Sequence, residues 1–397
     1  MKIKFSECVK YMVKGPFGSD MKKSLYVPKG EDTYKVYVQG NAIQKDENLG
    51  DYYIQSEYFH QKLKRFEVHP GDYIITCDGT LGKYIKLSEN IERGVISSSL
   101  LLLKLDEEVI YDKYFELLWD NSMLSYLASQ ARNACLVHLP SAKTIGEIII
   151  NLPELSVQIE MADKAFLIVN IIQQRNKELS MLDDLIKARF VEMFGDMYLN
   201  SKGWSEAKLE SMADVVSGIT KGRKTKSEDL TEVPYMAVSN VKDGYIDWTT
   251  VKTIEATQQE IEQYRLLADD VLMTEGGDPD KVGRGAIIKE PLENCIHQNH
   301  IFRVRLDESV VLPEFFAEYL QHQRSKRYFL GCAKQTTGIA SINMTQLRAL
   351  PVLIPPLSKQ EEFVLFKAQV NKSKVEVQKA LDETQKLFDS LMQQYFG

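Results

Sequence analysis

The sequence predicts a duplicated fold: two α/β (α+β) modules, each followed by a long helix that belongs to an antiparallel two-helix coiled coil. Three observations carry this expectation. Leu152-Pro-Glu-Leu-Ser-Val-Gln-Ile-Glu160 returns as Ile354-Pro-Pro-Leu-Ser-Lys-Gln-Glu-Glu362 at a constant offset of 202, and the register still holds where Phe194-Gly195 meets Phe396-Gly397. Each copy opens a stretch whose apolar residues recur every three or four positions. Ahead of each lies a run of short, alternating apolar segments separated by turn-formers, the pattern of small strands. The expected divisions are a first head over 1–150, a central helix over 151–199, a second head over 200–352 and a C-terminal helix over 353–397.

In the first head, strands are expected at 34–38, 72–76 and 94–104, the last carrying the apolar run 99–103, followed by a helix over 111–130. The central helix starts after Pro153, and Ser156, Gln158 and Glu160 in its first turn suggest a capping arrangement. Its apolar stripe runs through Ile159, Ala162, Phe166, Val169, Ile172, Leu179, Leu182, Ile186, Phe190 and Met193. The second head repeats the plan, with strands at 233–238, 270–274, 285–288 and 296–306 and a helix over 313–330. The last helix carries Phe363, Phe366, Val370, Val377, Leu381, Thr384, Leu387, Leu391 and Tyr395 on one stripe. Stripes this narrow read as coiled-coil seams. A helix over 156–194 would be ~58 Å long at ~1.5 Å per residue. Each seam needs a partner, and the other copy is the nearest. Val169, Ile172, Leu179, Ile186, Val370, Val377, Leu381 and Leu391 are therefore the expected helix core, with one head at each end and a pseudo-twofold axis between them.

Composition limits the classes of function. The chain has 397 residues, 44% hydrophobic and 26% charged, with room for two cores. No run approaches the ~18 apolar residues of a membrane span, and residues 1–7 carry no secretory pattern, so a cytoplasmic protein is expected. Cys8, Cys77, Cys135, Cys295 and Cys332 are scattered and odd in number, which supports neither a disulfide framework nor a zinc site. His297 and His300 lie in a strand-like segment that sends them to opposite faces, so no metal is expected there.

Taken together, certain motifs resemble the specificity subunit of a type I restriction-modification system. They are the duplicated Leu152-Pro-Glu-Leu-Ser and Ile354-Pro-Pro-Leu-Ser segments, Gly15-Pro-Phe-Gly-Ser19, Pro234-Tyr-Met-Ala-Val-Ser-Asn-Val-Lys-Asp-Gly244 and Thr337-Gly-Ile-Ala-Ser-Ile-Asn-Met-Thr345. The first copy departs from the pattern at Glu154, and Leu139-Pro-Ser-Ala142 matches the Ser341-Ile-Asn343 segment poorly. The resemblance implies a non-catalytic subunit that reads a bipartite site on double-stranded DNA, one half-site per target-recognition domain. It also implies that the helices dock two copies of a methyltransferase subunit, that motor-nuclease subunits can join, and that S-adenosylmethionine sits on the methylating partner and not on this chain.

The residues agree with a non-enzyme. Ile354-Pro-Pro-Leu and Asn151-Leu-Pro-Glu lack the polar and aromatic flanks of an amino-methyltransferase loop. Gly79-Thr-Leu-Gly-Lys83 has Cys77 where a phosphate loop needs glycine and reads as a turn. Asp278-Pro-Asp-Lys281 is not followed by the further residues of a nuclease. The net charge of −7 is spread as −1 over 1–150, −3 over 151–200, −3 over 201–350 and 0 over 351–397, so no segment is basic. Weak DNA binding by the isolated chain is therefore expected, with attraction confined to local clusters. Those clusters are Lys22 and Lys23 in the first head and Thr220, Lys221, Arg223, Lys224 and Lys226 in the second. Gln39, Asn41, Asn240 and Gln335 are candidates for adenine edges, whereas Arg324, Lys326 and Arg327 read as a solvated helix face. A coiled-coil adaptor without sequence-specific DNA binding is the alternative.

Overall fold

A computed structural model of the chain describes residues 1–131, 138–223, 229–277, 282–336 and 339–397. Contacts divide it into two compact units, Met1–Arg175 with Ala380–Gly397, and Asn176–Lys379. Each unit holds one head and a part of both long helices.

The head of the first unit is built on a four-stranded antiparallel sheet in the order Val9–Lys14, Leu100–Leu105, Tyr73–Thr76, Tyr84–Lys86. A three-stranded sheet joins Tyr53–Gln55, Thr33–Tyr37 and Gly94–Ile96, the last two running parallel. Lys2–Lys4 pairs with Ile149–Asn151. Tyr73, Ile75, Leu101 and Leu103 point into a core shared with Phe115 and Trp119, while Ile74, Leu100 and Leu102 point to a second core with Phe59 and Val95. This period-2 division explains why 100–105 reads as one apolar run: both faces are covered.

The second unit repeats the order: Ala213–Ser217, Ile301–Leu306, Val271–Thr274, Gly285–Ile287 in one sheet, and Lys252–Ala256, Thr231–Met236, Ile296–His297 in the other, again with a parallel pair. Ser205–Lys208 pairs with Pro351–Ile354. The single strands expected over 94–104 and 296–306 are each two strands. The chain leaves the three-stranded sheet, turns at 97–99 or 298–300, and enters the four-stranded sheet. A close backbone approach occupies each turn: a Cβ on Gly15 would stand 2.0 Å from the Ser97 carbonyl oxygen, and one on Gly218 1.9 Å from that of His297.

The long helices are α1, Leu155–Phe194, and α2, Leu357–Phe396, each of 40 residues. They begin one residue before the expected serines, and the glutamine of the motif does not cap. Gln158 is buried and reaches into its own head, accepting from the Tyr111 N–H at 2.9 Å and donating to the Val109 and Pro153 carbonyls at 3.0 and 2.9 Å. Gln360 does the same with the Leu312 N–H at 2.9 Å and the Val310 and Pro355 carbonyls at 3.0 and 2.9 Å.

Within the second unit, the end of α1 packs on the start of α2. Phe190 and Phe194 lie 5.2 and 5.8 Å from Phe363, Arg189 donates to Glu362 at 2.8 Å, and Lys374 pairs with Asp183 at 2.5 Å. Within the first unit, the start of α1 shares a core with the end of α2, through Ala162, Ala165 and Phe166 against Phe388, Leu391 and Met392. Pairing is antiparallel in both. Ile186 and Val370 are buried, whereas Val169, Ile172, Leu179, Val377, Leu381 and Leu391 are half-buried. Two seam positions differ from expectation. Leu387 is 57% exposed and Phe388 packs in its place, while Ile159 is 39% exposed and Ala162 and Ala165 are buried. At these ends the helices rest on the head core as well as on each other, which turns the buried face.

Candidate nucleic-acid interface

The sheet switches gather several loops at one pole of each head. In the first head, Gly15 N–H donates to the Leu100 carbonyl at 2.8 Å, Ser97 N–H to Tyr37, Cys77 N–H to Ser99 and Leu139 N–H to Cys77. Residues 15–18, 37–39, 77–79, 97–99 and 138–140 therefore meet there. In the second, Ile219 N–H donates to His297, Asn299 N–H to Ile219, Gln298 N–H to Met236, Glu275 N–H to His300 and Ile342 N–H to Glu275. The corresponding pole comprises 218–220, 236–239, 275–277, 298–300 and 340–342. The poorly matched segments prove equivalent: Ser141 caps the turn Ala142–Gly146 and Asn343 caps Met344–Arg348, each accepting from the N–H three residues on.

Lys22 and Lys23 are exposed beside the first pole, on and just before the turn Lys23–Leu25, and Phe17 is 77% exposed in front of them. Gln39 is half-buried at the start of the helix Gln39–Gln44. In the second head Thr220 and Lys221 are exposed. Lys224 and Lys226 lie outside the described residues, as do Cys135 and Asp278–Lys281. Gln335 lies on the strand Lys334–Thr336, its side chain outside the described set.

Four expectations need correction. Asn41 is fully buried: its Oδ1 accepts from Val38 N–H at 2.8 Å and its Nδ2 donates to the Asp46 and Leu49 carbonyls at 2.9 and 2.8 Å. Asn240 repeats this with Ala237 N–H, the Asp247 carbonyl and Thr250. Both amides hold loops closed and cannot also bind adenine, since each would leave buried backbone groups unpaired. Arg223 is turned away, its Nε donating to Glu260 Oε1 at 2.6 Å, which holds the Glu260 carboxyl below its ordinary range. Arg324, read as solvated, is committed to Glu206 and the Met197 carbonyl.

The remaining chemistry is quiet. Burial pushes the Cys77 and Cys295 thiols up to about 12, so neither is a nucleophile. His297 is buried with its pKa pushed down to about 3 by desolvation and by Arg303, while His300 is exposed. Among the described residues no group of three acidic, histidine or cysteine side chains could hold a metal, and no helix is long and apolar enough to cross a membrane. Sequence reasoning missed the poles' two acid–histidine pairs, Asp78 with His138 and Glu275 with His300. No sequence spacing announces them, because strand pairing brings the partners together.

Residues 201–384 match the family model of the type I restriction modification DNA specificity domain. The chain is similar to the EcoKI type I restriction enzyme specificity subunit of Escherichia coli K12, 22% identical over 57% of this chain and 48% of that one. Its matches span less than half the length of its curated relatives, 42 to 48%. Over the whole chain the fold is similar to a chain from a type I R-M system (TM-score 0.62, 14% identity, 97% of that chain) and to the S subunit of a type I restriction-modification system from M. genitalium (TM-score 0.54, 13% identity, 96% of that chain). The resemblance first read from the duplicated motifs is therefore to type I specificity subunits, and the matched domain is one of DNA specificity rather than catalysis.

Proposed function

We propose that this chain, similar to type I specificity subunits and carrying their DNA specificity domain over residues 201–384, is the non-catalytic reader of a bipartite DNA site. Each head reads one half-site through its loop pole. The observation that carries this reading is the contrast within the repeat. Strand order, Gly15/Gly218, Asn41/Asn240 and Gln158/Gln360 are kept, while the exposed pole residues differ, as two unequal half-sites require. Lys22, Lys23 and Lys221 serve as phosphate contacts and Gln39 and Thr220 face bases.

The long helices dock two methylating subunits, which hold S-adenosylmethionine and supply most of the attraction for phosphate that an acidic chain lacks; motor-nuclease subunits join the same assembly. Exposed apolar residues on the helices, Met181 and Leu185 on α1 and Leu365 and Val375 on α2, support a docking role. Methylome sequencing of a host with and without the gene tests the reading. Loss of one adenine-methylated motif, two short unequal blocks with a fixed unspecified gap, is expected. An unchanged methylome, with the methylating partner present, would overturn it in favour of an adaptor.

A further inference from the structure

The two acid–histidine pairs take no part in the shared frame. In the first head His138 Nδ1 lies 2.6 Å from Asp78 Oδ1, with side chains 47% and 30% exposed, and the two residues also face each other as a bridge. In the second, His300 Nδ1 meets Glu275 Oε2. The carboxylates hold similar places, just after Tyr73–Thr76 and Val271–Thr274. The histidines do not. His138 precedes the capped turn Ala142–Gly146, whereas His300 lies in the sheet switch before Ile301–Leu306. The same pair is thus assembled from different loops.

A carboxylate can only accept, so the imidazole nitrogen facing it carries the hydrogen, and in the neutral ring Nε2 is then the acceptor. The Asn299 amide lies 3.4 Å from His300 Nε2 and is the contact that a base amino group would displace there. An exposed acceptor on a ring held from behind suits the exocyclic amino groups of adenine or cytosine, which the major groove displays. Lysines nearby attract phosphate but carry no such information.

We propose that His138 and His300 are base-reading residues, each accepting through Nε2 from an adenine N6 or cytosine N4 amino group, with Asp78 and Glu275 as positioning residues that set the tautomer. This rests on the DNA-reading function proposed above. Because the imidazoles stand on different loops, each reads a different place within its half-site.

The test uses the full chain purified with its methylating partner, in competition binding against duplexes in which every base pair of its own methylated site is exchanged in turn. His138→Ala is expected to remove about five-fold discrimination, the worth of roughly one neutral hydrogen bond, at one position of one block. His300→Ala does the same in the other block. Asp78→Asn, which can donate to Nδ1 and leave the hydrogen on Nε2, shifts the preference at the His138 position from an amino group toward guanine N7 or O6. A merely structural role for Asp78 would not change which base is preferred. His69 supplies the control, since its imidazole also lies near acids, Glu67 and Asp72, but at the opposite end of Tyr73–Thr76. His69→Gln is expected to change no position. Unaltered discrimination in both alanine variants, or an even loss across every position, overturns the assignment. Absence of any sequence preference in the unmodified complex brings down the DNA-reading function itself, a distinct result.

Discussion

The two heads solve one problem differently at the same place. Asp72 and Asp270 are both fully buried before the third strand of the four-stranded sheet, and each accepts from the N–H three residues earlier. Asp72 is met by the neutral hydroxyl of Tyr11, at 2.5 and 2.6 Å, and burial holds its pKa above the ordinary carboxylate range despite that bond. Asp270 is met by a charged fork, Arg305 Nε at 2.7 Å and Nη2 at 2.8 Å. The frame thus constrains the carboxylate and leaves its partner open. A second contrast lies in the parallel pair, where Ile96 stands opposite Tyr37 and His297 opposite Met236. One head buries a hydrocarbon where the other buries an imidazole.

The common frame is broken most severely at its glycines. Gly15→Ala and Gly218→Ala each drive a Cβ into a carbonyl oxygen, and a loss of at least about 4 kcal/mol is expected. Hydrogen exchange should show it confined to the head that carries the change. A loss below about 1 kcal/mol for either would mean that the close approach is not a shared constraint.

Gln158→Ala and Gln360→Ala come next. Each strands three buried backbone groups at about 1 kcal/mol or more apiece, so about 3 kcal/mol is expected from denaturant titration. The two values should agree, and a disagreement by more than half would mark the joints as inequivalent.

The heads should part under acid. His297 has a pKa of about 3 when folded and 6.5 when unfolded, so below pH 6.5 the unfolded chain takes up a proton that the native state refuses. The second unit therefore loses up to about 1.4 kcal/mol per pH unit between about pH 6.5 and 3, while stability at this site is intact above that range. Asp72 has the opposite sign: its raised folded pKa means that protonation favours the folded first head. Exchange measured at pH 7 and 5 should find the second unit opening first, and His297→Ile should shrink that difference, leaving the part due to His322, whose burial also lowers its pKa.

The smallest effects belong to the exposed lysines. Lys221→Ala, or Lys22→Ala with Lys23→Ala, should weaken DNA binding evenly across sequences and flatten the salt dependence by about one unit of slope per lost phosphate contact. A change in the methylated motif would instead place these lysines on bases.

The repeat, the helices and most strands were legible because they rest on spacing. Proline followed by three-four periodicity marks both long helices, and alternation marks the strands. The breaks at 97–99 and 298–300 were hidden because the sheet switch needs no proline, only a glycine contributed by another strand. Asn41 and Asn240 misled for a related reason: an amide suited to an adenine edge is equally suited to three backbone groups, and only burial separates the two uses. Asp78 and His138 are sixty residues apart and become neighbours through one strand bridge, which no local pattern encodes.

Gln158 and Gln360 form the same three bonds to equivalent groups, so every head ends in the same socket. A crossover between gene copies within the stretch encoding that socket would deliver a foreign head already fitted to its helix. Under the DNA-reading function proposed above, new target sequences would then be acquired in one recombination event, without remodelling the rest of the protein.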